Sequence, residues 1–170
     1  MTTHIIESAF TTSACDFGRS LEHIRPFRGD EGYCEANLVE YYSHALRKYG
    51  FRPFLELPIE HGRIDAMFFN NTTFLLLEAK QFFRGSALYL EADLNRLAQL
   101  DLRKLLKNYG LSVEIKEIYE IALCDCWQDY DKQQWSTCDF LTGYNKQTVI
   151  VQSDHNKEYS WLLAYRKSST

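Results

Sequence analysis

A chain of 170 residues that is 45% apolar and 25% charged, with three prolines and eight glycines, is long enough for one continuous core and too apolar for a disordered or fibrous polypeptide. Its net charge of −4 argues against a protein that coats nucleic acid through bulk electrostatics, because such affinity comes from neutralising phosphates. No basic segment leads into an apolar run with a cleavage site near Met1, and no stretch approaches the ~18 uninterrupted apolar residues of a membrane span, so a soluble, cytoplasmic chain without membrane contact is expected.

Residues 1 to 30 lack sustained periodicity and carry the Arg25-Pro26 break and the Gly29-Asp30 pair, which predicts an irregular lead-in with room for one short helix. From about Gly32 to Tyr49, Leu38, Val39, Tyr42, Ala45, Leu46 and Tyr49 recur at helical spacing, and Gly50 supplies a stop. Phe51–Leu57, Arg63–Asn70 and Thr73–Lys80 then read as three short strands, rich in aromatic and branched residues and divided by turn formers. A second helix is expected over Leu88–Tyr109, with Leu90, Leu94, Leu97, Ala98, Leu102, Leu105 and Tyr109 on one side and Gly110 after it. A strand near Glu117–Cys124, an acidic and aromatic connection, and a hairpin of Gln147–Gln152 with Tyr159–Tyr165 complete the series. No repeat or linker divides it, so one mixed α/β domain is expected: a lead-in (1–31), a core (32–124) and a C-terminal strand extension (125–170).

Five scattered cysteines, Cys15, Cys34, Cys124, Cys126 and Cys138, show neither zinc-ribbon nor disulfide spacing and read as reduced, mostly buried thiols. Cys124 and Cys126 share a face simply because a strand has a period of two. Charge is uneven along the chain: residues 80–107 hold six Lys or Arg against three acids, and residues 113–139 hold two against seven. One region could face phosphate while the other repels it; ordinary solvated surface is the competing reading.

The chemistry concentrates in the two apolar strands around Asn70-Asn71-Thr72-Thr73. If the hairpin is centred between Asn71 and Thr72, residues whose numbers sum to 143 face each other, which sets Asp65 opposite Glu78. Such partners stand ~4.5–5.5 Å apart at Cβ. Lys80, two residues beyond Glu78, returns to the same face, which continues with Met67, Phe69, Phe74 and Leu76; Ile64, Ala66, Phe68, Leu75, Leu77 and Ala79 form the other. Both faces need cover, as in a central pair of strands between helical layers. Two opposed carboxylates are destabilising unless a raised pKa, a basic neighbour or a bound cation offsets them, and a hard divalent ion suits carboxylate oxygen best. A lysine beside such a pair suits phosphodiester hydrolysis, where a water must be oriented while charge builds on phosphate. A charge network at the sheet end, with Arg63 included and no chemistry, is the bland alternative.

An acid on one strand followed by Glu78-Ala79-Lys80 on the next resembles the PD-(D/E)XK nuclease superfamily, whose core of helix, three strands, helix and strand would cover about residues 32 to 124. Ile64 stands where the proline that names the superfamily would precede Asp65. The resemblance implies a restriction endonuclease-like αβββαβ fold with a central mixed sheet flanked by helices and extra C-terminal strands. It further implies a Mg²⁺- or Mn²⁺-dependent phosphodiesterase in which Asp65, Glu78 and the Ala79 carbonyl bind metal and Lys80 positions the attacking water. Many members add a glutamate from the first helix. Glu35 and Glu40 compete for that role; a wheel of ~100° per residue sets Glu35 on the apolar stripe and turns Glu40 away. A helix-start acid favoured by the macrodipole remains the other reading of Glu35.

Gly62-Arg63-Ile64-Asp65 with Gln81 and the later Gln99 is similar to the helicase-linked and recombination nucleases of that superfamily. Arg63, Gln81, Arg84, Arg96 and Gln99 are thereby candidates for substrate contact, and Arg96, Arg103 and Lys107 fall on nearly one face of the expected second helix, where a solvated surface is the alternative. His61, near Asp65 in sequence, could touch substrate or sit in a surface loop. The implied partner is nucleic acid, DNA in preference to RNA, and a homodimer is the form many small members take. A catalytically silent nuclease-fold binding or scaffold protein and a toxin-like ribonuclease are the rival functions. Gly-rich phosphate loops, Gly-x-Ser-x-Gly elbows and His-Glu-x-x-His pairs are absent from the sequence.

Overall fold

The computed structural model describes residues 1–23, 35–60, 62–83, 85–110, 113–127, 129–154 and 157–168. Its elements in chain order are α1 (Thr2–His23), α2 (Glu35–Arg47), β1 (Arg52–Ile59), β2 (Gly62–Asn70), β3 (Thr73–Gln81), α3 (Ala87–Ala98), α4 (Leu102–Asn108), β4 (Glu117–Cys126), α5 (Asp129–Thr137), a 3₁₀ turn (Asp139–Leu141), β5 (Asn145–Asp154) and β6 (Lys157–Lys167). The strands form a six-stranded mixed sheet in the order β1-β2-β3-β4-β6-β5, in which β3 and β4 run parallel and the other neighbours antiparallel. No described helix is long and apolar enough to cross a membrane.

Period-two alternation in the strands divides the interior into two apolar layers. On one side Phe10 and Phe17 of α1 and Leu38, Tyr42 and Leu46 of α2 cover Ala66, Phe68, Leu75, Leu77, Leu123 and Trp161. On the other, Leu90, Leu94 and Leu97 of α3, Leu105 of α4 and Trp135 of α5 cover Met67, Phe74, Leu76, Ala122, Cys124 and Leu162. Every residue of β3 from Phe74 to Ala79 is buried, which is why that strand reads as a continuous apolar run broken only by Glu78. Each fully buried Leu or Phe contributes ~1.5–3 kcal/mol, so the two covered faces of β2 and β3 anchor the site rigidly.

The strands appear where the sequence places them, with ends displaced by a residue or two, and Gly50 (φ 81°) and Gly110 (φ 69°) take the left-handed conformation that follows a helix end. Three expectations need correction. Residues 2–23 are not an irregular lead-in but the longest described helix, with Ile6, Phe10, Ala14, Phe17 and Leu21 at helical spacing and buried. Four interspersed threonines, poor helix formers, hid that stripe. The expected single helix over 88–109 is two helices, because Asp101 caps a new start by accepting the Lys104 N–H at 2.9 Å. Arg96 therefore lies on α3 and Arg103 and Lys107 on α4, and the shared helical face does not exist. Thirdly, the acidic connection after β4 contains α5, pinned by Trp135 edge-on to Phe82 at 5.2 Å. Of the cysteines, Cys124 and Cys126 are buried in one layer, Cys138 is half-buried and Cys15 exposed, all as free thiols; Cys34 falls outside the described residues.

Candidate active site

β2 and β3 pair from Asn70↔Thr73 to Ala66↔Leu77, the register in which numbers sum to 143, around a turn where Asn71 takes φ 50°. Asp65 and Glu78 would come next. Instead β2 continues with β1 as far as Gly62↔Ile59, while β3 continues with β4 as far as Gln81↔Asp125. Where the two strands leave each other, the Asp65 carboxylate substitutes for the missing strand: the Ala79 N–H donates to its Oδ2 at 2.7 Å.

Alternation also slips here. Ala66 and Phe68 pack with the α1/α2 layer, yet Ile64 packs with Met67, Phe74 and Leu76 in the α3/α4 layer, so the expected placing of Ile64 beside Ala66 and Phe68 is wrong. The same jog occurs on β1, where Glu56 has φ 52° between the pairs Leu55↔Ala66 and Leu57↔Ile64. A side chain at such an irregularity is re-aimed relative to a regular strand. For Asp65 the result is a carboxylate lying against the Glu78-Ala79-Lys80 segment from the end of the sheet.

Both helical layers reach this point. From α2, Glu35 accepts the Gln81 N–H at 3.2 Å, so Asp65 and Glu35 take alternate amides at the end of β3; Glu40 is exposed on the far side of the helix. From α3, Arg96 donates through Nη2 to Glu78 Oε1 at 2.9 Å and to the Arg63 carbonyl at 3.0 Å, and pairs with Asp93 Oδ1 at 3.0 Å. Asp93 Oδ2 also holds Lys80 Nζ at 3.2 Å. Asp93 is the residue sequence reasoning missed, although an acid three positions before Arg96 on the helix after the Glu-x-Lys strand was a usable sign.

Four carboxylates, Asp65, Glu78, Glu35 and Asp93, thus surround two cations, Lys80 and Arg96, and positive charge is in deficit. Glu78 shows this most. Burial, and then Asp65, push its carboxyl up to about 8, against the opposing hydrogen bond from Arg96. Burial likewise raises Asp65, against the Ala79 N–H and Lys80. Burial alone would lower Lys80, but Glu35 and Asp93 outweigh it and hold the ammonium charged above its ordinary range.

The remaining predicted residues stand as follows. Arg63 is exposed and pairs with Glu56 at 3.4 Å, contributing only its carbonyl to the cluster. Gln81 contributes its backbone amide. Gln99 ends α3 outside the cluster, in a groove it shares with Arg96. Arg84 and His61 fall outside the described residues. A further acid without any sequence signal is Asp125, fully buried at the end of β4, where Tyr159 donates to Oδ2 at 2.6 Å. Burial drives its carboxyl up to about 7, with Glu35 adding to the rise and the Tyr159 bond opposing it.

Among the described residues no group of three or more His, Cys, Asp or Glu side chains is gathered for a metal ion. The available donor set is two carboxylates, Asp65 and Glu78, flanking the Ala79 peptide. That is a hard-oxygen set of the size Mg²⁺ uses, since this ion commonly takes one or two carboxylates and keeps its waters. No protein-family model, no curated protein and no solved structure matches the chain.

Proposed function

We propose that this chain is a metal-dependent nuclease of the PD-(D/E)XK type, with a restriction endonuclease-like core, hydrolysing phosphodiester bonds of nucleic acid, DNA in preference to RNA. The observation that carries the reading is the seating of Asp65 on the Ala79 amide, which gathers two carboxylates and a charged lysine at the open end of one strand. Asp65, Glu78 and the Ala79 carbonyl would hold Mg²⁺ or Mn²⁺, which when bound supplies Lewis-acid stabilisation of the phosphate and a more acidic water. Lys80 remains an ammonium and so serves as a donor that orients the attacking water and offsets charge growing on the phosphate, rather than as a base. Asp93 positions that ammonium, and Glu35 holds the end of β3 through Gln81. Arg96 holds the Glu78 carboxylate in place.

One observation favours a second reading. Glu78 and Lys80 are each engaged by an internal ion pair, to Arg96 and Asp93, as suits a nuclease-like protein that binds without turnover. Cleavage of labelled single-stranded, duplex and branched DNA and of RNA, each with Mg²⁺, Mn²⁺ or chelator, separates the two. Metal-dependent cleavage that falls roughly 10²–10⁴-fold in Lys80→Ala supports hydrolysis. Cleavage unaffected by Lys80→Ala removes the mechanism, and cleavage confined to RNA makes the protein a ribonuclease.

A further inference from the structure

Beside the acidic cluster, α3, α4 and the end of β1 at Ile59 and Glu60 line an open groove of about 570 Å³, a volume in the range of small-ligand sites, ~300–1,000 Å³. Arg96 is the shared wall: Nη2 of its guanidinium bonds Glu78, while 29% of the side chain stays exposed and lines the groove. The groove also carries three primary amides, Asn95, Gln99 and Asn108, whose side chains make no hydrogen bond among the described residues. Leu100 and Leu105 give it an apolar side. At the rim Lys104 is held by Glu60 at 3.2 Å, an exposed pair weak enough to open for a phosphate.

These groups select a ligand class. A phosphate accepts hydrogen bonds only, so a site built for phosphate alone needs donors; primary amides present a donor and an acceptor side by side. That pairing matches the edge of a nucleobase, and Asn and Gln amides are the usual partners of adenine. An apolar wall suits the flat face of the base, and the part-exposed Arg96 guanidinium suits a carbonyl or phosphate oxygen.

We infer that this groove is a subsite for one unstacked nucleotide, its base against Asn95, Gln99 and Asn108 and its phosphate toward Arg96 and Lys104. A base can enter only after leaving the duplex, so the substrate class is single-stranded nucleic acid or a frayed or flipped end. The inference rests on the nuclease reading for its biological sense but not for its test.

The test is titration of ¹⁵N-labelled protein with deoxyadenosine monophosphate in chelator, following the side-chain amide signals. Saturable shifts at Asn95, Gln99 and Asn108, with affinity at least tenfold weaker in the Gln99→Ala, Asn108→Ala double variant, are expected. These residues are exposed, so the variants should fold as the parent does. Unmoved amide signals, or equal shifts from inorganic phosphate alone, overturn the base subsite. In parallel, cleavage of a single-stranded oligonucleotide with Mn²⁺ should show KM raised about tenfold in the double variant. Cleavage with an unaltered KM discards the groove and spares the nuclease; nucleotide binding in the groove without cleavage of any substrate discards the nuclease and spares the groove.

Discussion

Two glutamates on adjacent strands, Glu78 on β3 and Glu120 on β4, are equally buried at 2% exposure and are treated in opposite ways. Three donors converge on Glu120 Oε2: the Tyr144 hydroxyl at 2.8 Å, Arg166 Nε at 2.8 Å and Arg166 Nη2 at 2.7 Å, with the guanidinium also stacked 4.5 Å over the Tyr144 ring. Glu78 has one side-chain donor, Arg96, and two acidic neighbours, Asp65 and Asp93. A buried carboxylate whose lone pairs and charge are answered within the fold works as structure. One left short of positive charge is where the proposed metal ion would add the missing charge.

If that contrast holds, the largest effect should come from the cation itself. Mg²⁺ or Mn²⁺ at ~100 times its Kd should stabilise the protein by ~2.7 kcal/mol. Thermal unfolding should show the gain in the parent and in Glu120→Gln and lose it in Asp65→Ala. A gain that survives Asp65→Ala would place the ion elsewhere.

The same substitution made at both glutamates sharpens the comparison. Glu120→Gln swaps an acceptor for a donor among three donors and should cost roughly 1–3 kcal/mol in urea unfolding. Glu78→Gln should cost less than ~1 kcal/mol at pH 7 without metal, because a carboxyl whose pKa is about 8 already carries its proton there. Equal costs at the two positions would break the distinction between them.

The smallest effect is the pH profile in chelator. Folded, Glu78 holds its proton up to about pH 8; unfolded, only to about 4.5, so the native state binds more protons between those values. Stability should therefore fall as pH rises through that window, by up to ~1.4 kcal/mol per unit for a single group. Asp125 adds to the fall between 3.8 and about 7, leaving the step from pH 7 to 8 to be flattened by Glu78→Gln. A parent protein that gains stability with rising pH over that step would contradict the burial of an undercompensated Glu78.

The hairpin at the site was legible because it is local. Two apolar runs and the Asn71-Thr72 turn specify the register as far as Ala66↔Leu77, which brings Asp65 to the neighbourhood of Glu78 and Lys80; its seat on the Ala79 amide comes from the slip beyond that pair. The stripe of α2 chose Glu35 over Glu40 for the same reason: period 3.6 says which side faces the sheet. The stripe of α1 was equally present and went unread beneath its threonines. The slip at Asp65 has no sequence mark, since it falls where β2 stays with β1 while β3 goes on with β4.

The amino-acid sequence by itself determined the turns, the alternation up to the slip at Asp65 and the nearness of the two acids, because those depend on residues within one hairpin. Only the tertiary structure decided which charges answer them. Arg96 reaches Glu78 across 18 positions, Gln81 reaches Glu35 across 46, and Tyr159 reaches Asp125 across 34. Those meetings are set by the packing of α2 and α3 onto opposite faces of the sheet and by β6 lying beside β4, and the long-range balance of charge at the site follows from that packing.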